Sequence, residues 1–214
     1  MTISIVPITS IEECRLIEQL QADIWESSDL EVAPDHLLWT IAKEGGLVLL
    51  ARTERGQPIG FAYGFLGWSA DKRLKLASHQ AGVVAAYQDQ NIGYQLKLAQ
   101  RELALRAGLD LITWTYDPLQ GRNANLNLRK LGVVCNTYIP NLYGTMRDEL
   151  NQGLPSDRFR VDWWLDTERV EACLTDRTIP SHSPSDFSIL NPSSPTVEGV
   201  LAPSGNVGPL TEEF

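Results

Sequence analysis

The run from Val83 to Leu96 carries the most specific chemical signal in this 214-residue chain. It reads Val83-Val84-Ala85-Ala86-Tyr87-Gln88-Asp89-Gln90-Asn91-Ile92-Gly93-Tyr94-Gln95-Leu96, a β-rich segment that passes straight into a helical one. A helix opening directly after a strand leaves its first N–H groups without partners and points its positive dipole end outward. Such an end suits anions, phosphate and pyrophosphate above all. Gly93 lets a ligand approach the backbone closely, and Asn91 tolerates the left-handed conformation a tight loop needs. An ordinary βα turn containing a glycine is the competing reading of the same residues.

Other residue types narrow the chemistry. Cys14, Cys135 and Cys173 are far apart, odd in number and form no C-x-x-C pair. A disulfide framework and a Cys-rich zinc site are therefore not expected, and the cysteines read as buried or half-buried free thiols. Lys and Arg number 18 against 27 Asp and Glu, a net charge of −9. That balance argues against a nucleic-acid binder that works by neutralising phosphates, and against a basic membrane-surface protein. No apolar run approaches 18 residues, and Met1 to Pro7 lacks a basic n-region and a long apolar h-region. We expect a cytoplasmic protein with no membrane span and no secretory signal.

The elements around the Val83 junction alternate. Ile3 to Val6 is a short strand ended by Pro7. Ser10 and Glu13 have capping-box spacing, and Ile11, Cys14, Ile17, Leu20 and Ile24 recur at helical period. Pro34 opens a second helix with Leu37, Leu38 and Ile41, stopped by Gly45-Gly46. Leu47 to Ala51 and Ile59 to Leu66 form a hairpin, and Lys75 to Val84 a third strand. The helix of Ile92, Leu96, Ala99 and Leu103 is closed by Gly108. Leu111 to Tyr116 is a strand, Asn123 to Leu131 a short helix closed by Gly132, Val133 starts a strand, and Arg160 to Leu165 is the last one. The order β-α-α-β-β-β-α-β-α-β-β predicts a mixed α/β sheet with helices on both faces. Composition changes near Asp176: the last 39 residues hold six of the twelve prolines and seven serines. We expect a domain over 1–175 and a Pro/Ser-rich mobile or loosely docked tail over 176–214, with one short strand available at Val197 to Leu201.

In this order and in its motifs the chain resembles the GNAT superfamily of acetyl-CoA-dependent N-acetyltransferases. The family signature is V-x-P-x-Y on a strand, then R/Q-x-x-G-x-G/A, then a helix. Val83, Tyr87, Gln88 and Gly93 match it, with Ala85 for the proline and Asn91 for the middle glycine. A second signature, N-x-x-A-x-x-L-Y-x-x-x-G-F, is met in its later part by Ala124, Leu131, Gly132 and Val133, with Asn123 near its start. The resemblance spans roughly residues 3 to 166. A nearer likeness is to an uncharacterised GNAT subgroup, through Leu96 to Glu102, Trp114 to Leu119 with Asn123-Ala124, and Tyr138, Asn141 and Tyr143-Gly144 before Pro155 to Phe159. A Pro/Ser-rich tail stands where that subgroup continues with an Arg-rich segment.

The resemblance implies a GNAT-like, mostly antiparallel sheet and an acetyl-CoA or other acyl-CoA cosubstrate. Val83 and Val84 are then expected to face the pantetheine arm, and Gln88, Asp89, Gln90, Asn91, Ile92 and Gly93 to hold the diphosphate. The strand offers no carboxylate as base. It offers His79, whose ordinary pKa suits a base near neutral pH, or which is simply a structural strand residue. The family's acid, a tyrosine, has Leu128 in its slot, so Tyr138 and Tyr143 are the candidate proton donors; both also read as packing groups. Asp117 can orient an amine or cap a turn. Asn123 leads three asparagines in a short helix where Asn is a poor former, which hints at a cofactor or substrate contact. Lys97 and Arg101 share a helix face, either solvated or touching the adenosine 3′-phosphate.

The expected activity is acyl transfer, acetyl above all, from CoA to an amine of unknown identity by direct attack in a ternary complex, with no metal and no nucleic acid. The rival is a non-catalytic acyl-CoA-binding or regulatory module that has kept the fold. A homodimer built on exposed Trp and Tyr is the weakest alternative.

Overall fold

The computed structural model describes residues 2–25, 32–144 and 155–175, and the strand residues 193–195 and 201–203. Residue contacts divide the chain into two units, Met1–Arg177 and Thr178–Phe214.

The first unit runs β1 (Ile3–Pro7), α1 (Ile11–Trp25), α2 (Asp35–Lys43), β2 (Leu47–Thr53), β3 (Pro58–Trp68), β4 (Leu74–Val83), α3 (Ile92–Arg106), β5 (Leu111–Tyr116), α4 (Gly121–Ala124), β6 (Val134–Ile139), β7 (Arg158–Trp164) and α5 (Glu168–Leu174). One seven-stranded sheet has the order β1-β2-β3-β4-β5-β7-β6. Its pairs are antiparallel except β4 with β5. A mixed, mostly antiparallel sheet was the expectation, and the element order agrees with it as far as β7.

The 3.6-residue period of α1 buries Cys14, Ile17 and Leu20 against Val48, Leu50, Phe61 and Tyr63, with Leu38 of α2 beside them. The alternate residues of the same strands, Leu49, Ala51 and Ala62, meet Ile92 and Leu96 of α3 on the opposite face. So the period-2 pattern of β2 and β3 puts α1 and α2 on one side of the sheet and α3 on the other. A third cluster, with Ile112, Trp114, Val161, Trp163 and Val170, fills the β5–β7 half.

Several local details depart from the sequence reading. Ser10 Oγ accepts from Glu13 N at 3.4 Å, but the Glu13 carboxylate turns to Thr9 N at 2.6 Å and to Arg52 at 2.6 Å. Pro34 is the extended N-cap residue of α2, one place before the first helical turn. After α4 the chain continues as a π-helical turn over Asn125–Lys130, where an α-helix to Leu131 was expected. The helix α5 was not foreseen. Its seven residues bury only Val170 and Cys173, too short a pattern to stand out against the polar residues around it.

Gly132 fits α5 to the rest. Its φ is +71°, and a Cβ there would lie 2.8 Å from Cys173 Sγ and 3.2 Å from Arg169 O. Arg169 Nε also donates to Gly132 O at 3.1 Å. Gly132→Ala therefore meets both left-handed strain and a clash. We expect it to lower the urea midpoint by an amount equivalent to about 2 kcal/mol at unchanged m-value.

The second unit contains a pair of three-residue strands, β8 (Ser193–Pro195) and β9 (Leu201–Pro203), antiparallel with Ser193 opposite Pro203. The expected strand at Val197 to Leu201 overlaps this pair only at Leu201; Val197 to Val200, and most of the expected mobile tail, lie outside the described residues. No helix among the described residues is long and apolar enough to cross a membrane.

Candidate active site

The site is built where the one parallel pair begins to fail. β4 and β5 pair only at Leu76 with Ile112 and Ala77 with Thr113. Beyond those pairs the strands enclose a cleft of ≈ 150 Å³, walled by Ser78 and His79 from β4, Thr113, Trp114 and Thr115 from β5, and Phe65, Tyr143 and Arg160 around them.

A β-bulge aims the β4 side chains. Tyr63 of β3 faces Gln80, whereas Gly64 faces Ser78, so His79 is the extra residue between two registers. Its ring sits 5.6 Å from the Tyr63 ring and 5.8 Å from that of Phe65. The residue keeps an exposed side toward the cleft. Crowding by these rings removes water from the imidazole and holds its pKa below the ordinary 6.5. A larger fraction of His79 is thus neutral, and able to take a proton, at pH 7.

Below the cleft floor lies a polar group whose lysine the sequence reading places on a solvated or cofactor-facing helix face. Lys97 of α3 is 7% exposed. Its Nζ donates to Ser78 Oγ at 2.8 Å and stands 3.9 Å above the Trp114 ring. Ser78 Oγ in turn donates to Gln100 Oε1 at 3.1 Å. Burial drives the Lys97 ammonium down to about 7. The expectation of a solvated face or a 3′-phosphate contact fails for both residues of that pair. Arg101 donates from Nε to Leu165 O at 2.8 Å and pairs with Glu171 of α5. The signal was present in the spacing: α3 buries Ile92, Leu96, Lys97, Gln100 and Ala104, and Lys97 falls on the edge of that stripe.

From the cleft, β4 leads through Val83 and Val84 and a 3₁₀ turn at Ala85–Tyr87 to the loop before α3. Asp89 and Asn91 both have φ of +61°, the left-handed conformation. Asn91 is the N-cap residue of α3 but its side chain makes no cap hydrogen bond, so it satisfies none of the first-turn N–H groups. Among the described residues nothing lies within 4 Å of where a Cβ on Gly93 would stand, so the backbone there is open to close approach. The loop side chains turn inward: Gln88 Nε2 donates to Val83 O at 3.1 Å and Gln90 Nε2 to Ala86 O at 3.4 Å. Two cations not picked out from sequence brace the loop. Arg122 holds both carboxylate oxygens of Asp89, at 2.5 and 2.7 Å, and Lys130 Nζ donates to Asn91 Oδ1 at 3.2 Å. The open, uncapped α3 end with neutralised Asp89 fits a diphosphate.

The structure sorts the other candidates. Tyr143 lines the cleft, its hydroxyl 3.1 Å from Thr115 Oγ1. Tyr138 is exposed and donates to Asp157, which holds its proton firmly and raises its pKa. Asp117 Oδ1 accepts from Leu119 N at 2.8 Å, so its carboxylate caps a turn. Asn123 is exposed on α4 and does not line the cleft. All three cysteines are free. Burial and the nearby Asp35 and Glu13 push the Cys14 thiol up to about 11, away from nucleophile chemistry.

This arrangement, a meander running into a helix with an open N-terminus and a parallel pair that parts beside it, is the fold of the GNAT acetyltransferases. No protein-family profile and no curated protein matches the sequence. Solved structures match the fold. The acetyltransferase of the GNAT family from Streptococcus pneumoniae is 16% identical with a TM-score of 0.59, over 75% of this chain and 98% of that one. YncA from Salmonella typhimurium, solved with its cofactor acetyl-CoA, is 19% identical with a TM-score of 0.60, over 78% and 95%. A chain of the NatC complex bound to Gag peptide and CoA is 17% identical with a TM-score of 0.61, over 77% and 99%.

Proposed function

We propose that this protein transfers an acyl group from acyl-CoA to an amine by direct attack in a ternary complex. The observation that carries the reading is continuity: one strand, β4, leads from the open α3 N-terminus to a cleft holding a partly desolvated histidine and a tyrosine hydroxyl. Val83, Val84 and residues 88–93 are the cofactor-side residues, with Arg122 offsetting the charge of Asp89 and Lys130 adding a positive charge. Asn123, exposed on α4, borders no wall of the cleft, and we keep it as a peripheral contact only.

In this mechanism His79 takes the proton that the amine must lose before it attacks the thioester carbonyl. The C–N bond forms as the C–S bond breaks, and Tyr143 supplies the proton to the departing sulfur. The Arg160 guanidinium makes no hydrogen bond or ion pair among the described residues, while its backbone lies in the ladder opposite Thr115 and Thr137. It places a cation at the mouth where the amine enters, which favours an acceptor bearing a carboxylate.

Free CoA release from acetyl-CoA with a panel of amino acids, polyamines and peptides tests this. We expect turnover with at least one amine, and a kcat/KM that rises with pH through a value below 6.5, because the neutral imidazole is the active form. His79→Gln should lower kcat/KM by about 100-fold or more and erase that limb while acetyl-CoA still binds. Wild-type rates in the variant remove His79 from the chemistry. A second reading, a non-catalytic acyl-CoA-binding module, draws on Leu128 standing exposed where the family has its tyrosine. Binding of acetyl-CoA without turnover on any amine selects it.

A further inference from the structure

Among the described residues, the buried basic group under the cleft has no acid to pair with. Among the described residues, the half-buried Arg52 pairs with Glu13 and the well-covered Arg101 with Glu171. Lys97 is more deeply buried than either, yet among the described residues its Nζ meets a hydroxyl and an aromatic ring and no carboxylate. A buried ammonium without a carboxylate is costly, and the π face of Trp114 offsets only part of that cost. Beside it, Gln100 Nε2 is buried with no hydrogen-bond partner, because the amide spends its oxygen on Ser78. Lys97 and Gln100 thus meet at one hydroxyl, that of Ser78, and both carry donors left unused.

The place of this cluster matters as much as its charge. Ser78 and Trp114, the two residues Lys97 touches, both line the cleft. They follow directly on Ala77 and Thr113, the last pair before β4 and β5 part. They therefore form the closed end of the wedge, five residues down β4 from Val83 and remote from the open N-terminus of α3. An acyl-CoA laid with its diphosphate at that N-terminus and its arm along β4 brings the far tip of its acyl group to this end.

Resting on the acyl-CoA reading above, we infer that the acyl group this cleft receives ends in a carboxylate, as in malonyl and succinyl thioesters, and that Lys97, Ser78 and Gln100 receive it. A carboxylate supplies acceptor oxygens for the unused donors of Lys97 and Gln100 and a negative charge opposite Lys97. An acetyl methyl supplies neither. The low Lys97 pKa is consistent with a site whose counter-charge comes from outside the chain; the facing groups on β4, β5 and α3 are Ser78, Trp114 and Gln100, none of them acidic.

Calorimetric titration of the full chain with free CoA, acetyl-CoA, butyryl-CoA, malonyl-CoA and succinyl-CoA tests the inference. Butyryl and succinyl groups have equal chain length, so they isolate the terminal carboxylate. We expect succinyl- or malonyl-CoA to bind about tenfold or more tightly than butyryl-CoA. Lys97→Met should erase that preference while free CoA binds as before. Ser78→Ala should reduce it, and serves if the Lys97 variant does not fold. Neutral thioesters binding as tightly as the dicarboxylic ones, with free CoA still bound, overturns this inference and leaves the acyl-CoA reading intact. Failure of free CoA and of every thioester to bind overturns both.

Discussion

Gly93→Trp is expected to abolish the rise in melting temperature that acetyl-CoA produces in the wild-type protein. The helix α3 begins with uncapped N–H donors beside Gly93, and a side chain there would project into open space. The variant should therefore fold normally, since no neighbour has to move, while the indole covers the donors that a diphosphate needs. At a ligand concentration near 100 times Kd, binding stabilises a protein by about 2.7 kcal/mol, which is roughly 5–10 °C for a domain of this size. Thermal denaturation with and without acetyl-CoA measures it directly. Gly93→Ala is the control and should retain most of the shift, because one methyl leaves the first turn accessible. A full shift in the tryptophan variant places the cofactor elsewhere.

Trp163→Ala is expected to produce the largest loss of stability of any single change considered. Trp163 is completely buried in β7, opposite Ile112 of β5. Its ring stands edge-on to Trp114 at 5.9 Å, and its Nε1 donates to Leu131 O at 2.8 Å. Removing it opens a large cavity and leaves a buried carbonyl unpaired, together about 3–5 kcal/mol. Urea unfolding gives the value; a loss below about 1.5 kcal/mol would mean that the β5–β7 half repacks freely. Trp163→Phe keeps most of the volume and should cost about half as much or less. Because Trp114 forms a wall of the cleft and leans on Trp163, acyl-CoA binding should weaken in the alanine variant even at temperatures where it stays folded.

Much of this architecture was legible in the residues because it rests on local periodicity. The stripe of Cys14, Ile17 and Leu20 and the alternation through Val48 to Ala51 each record which face a residue buries. The strand-to-helix junction at Gly93 was legible for the same reason, being a change of period marked by a glycine. What escaped the reading is non-local or breaks a period. The bulge at His79 inserts one residue into a ten-residue strand with no proline beside it, and it shows only when β3 supplies the opposing register. The π turn over Asn125–Lys130 has the composition of an ordinary polar helix. Lys97 was read as solvated because lysine usually is; its burial comes from the meeting of α3, β4 and β5, elements brought together only by the crossover. Asp117, which the residues left open between orienting an amine and capping a turn, takes the second role through Leu119 N.

The two-pair contact between β4 and β5 has a mechanical consequence. β1 to β4 form one antiparallel ribbon, and β5, β7 and β6 form another. Leu76–Ile112 and Ala77–Thr113 are the whole of the strand pairing between them. Arg73, in the turn before β4, pairs with Asp110 just ahead of β5 and pins the joint at that end. The sheet is therefore a hinge, closed at the Arg73 end and free at the other. Amide hydrogens of β4 past Ala77 and β5 past Thr113 that point across the gap should exchange as readily as those of an outer edge, although they lie in the middle of the sheet. A ligand bound in the gap would act as a wedge that sets the angle between the ribbons, and the exchange of these amides would then slow on binding.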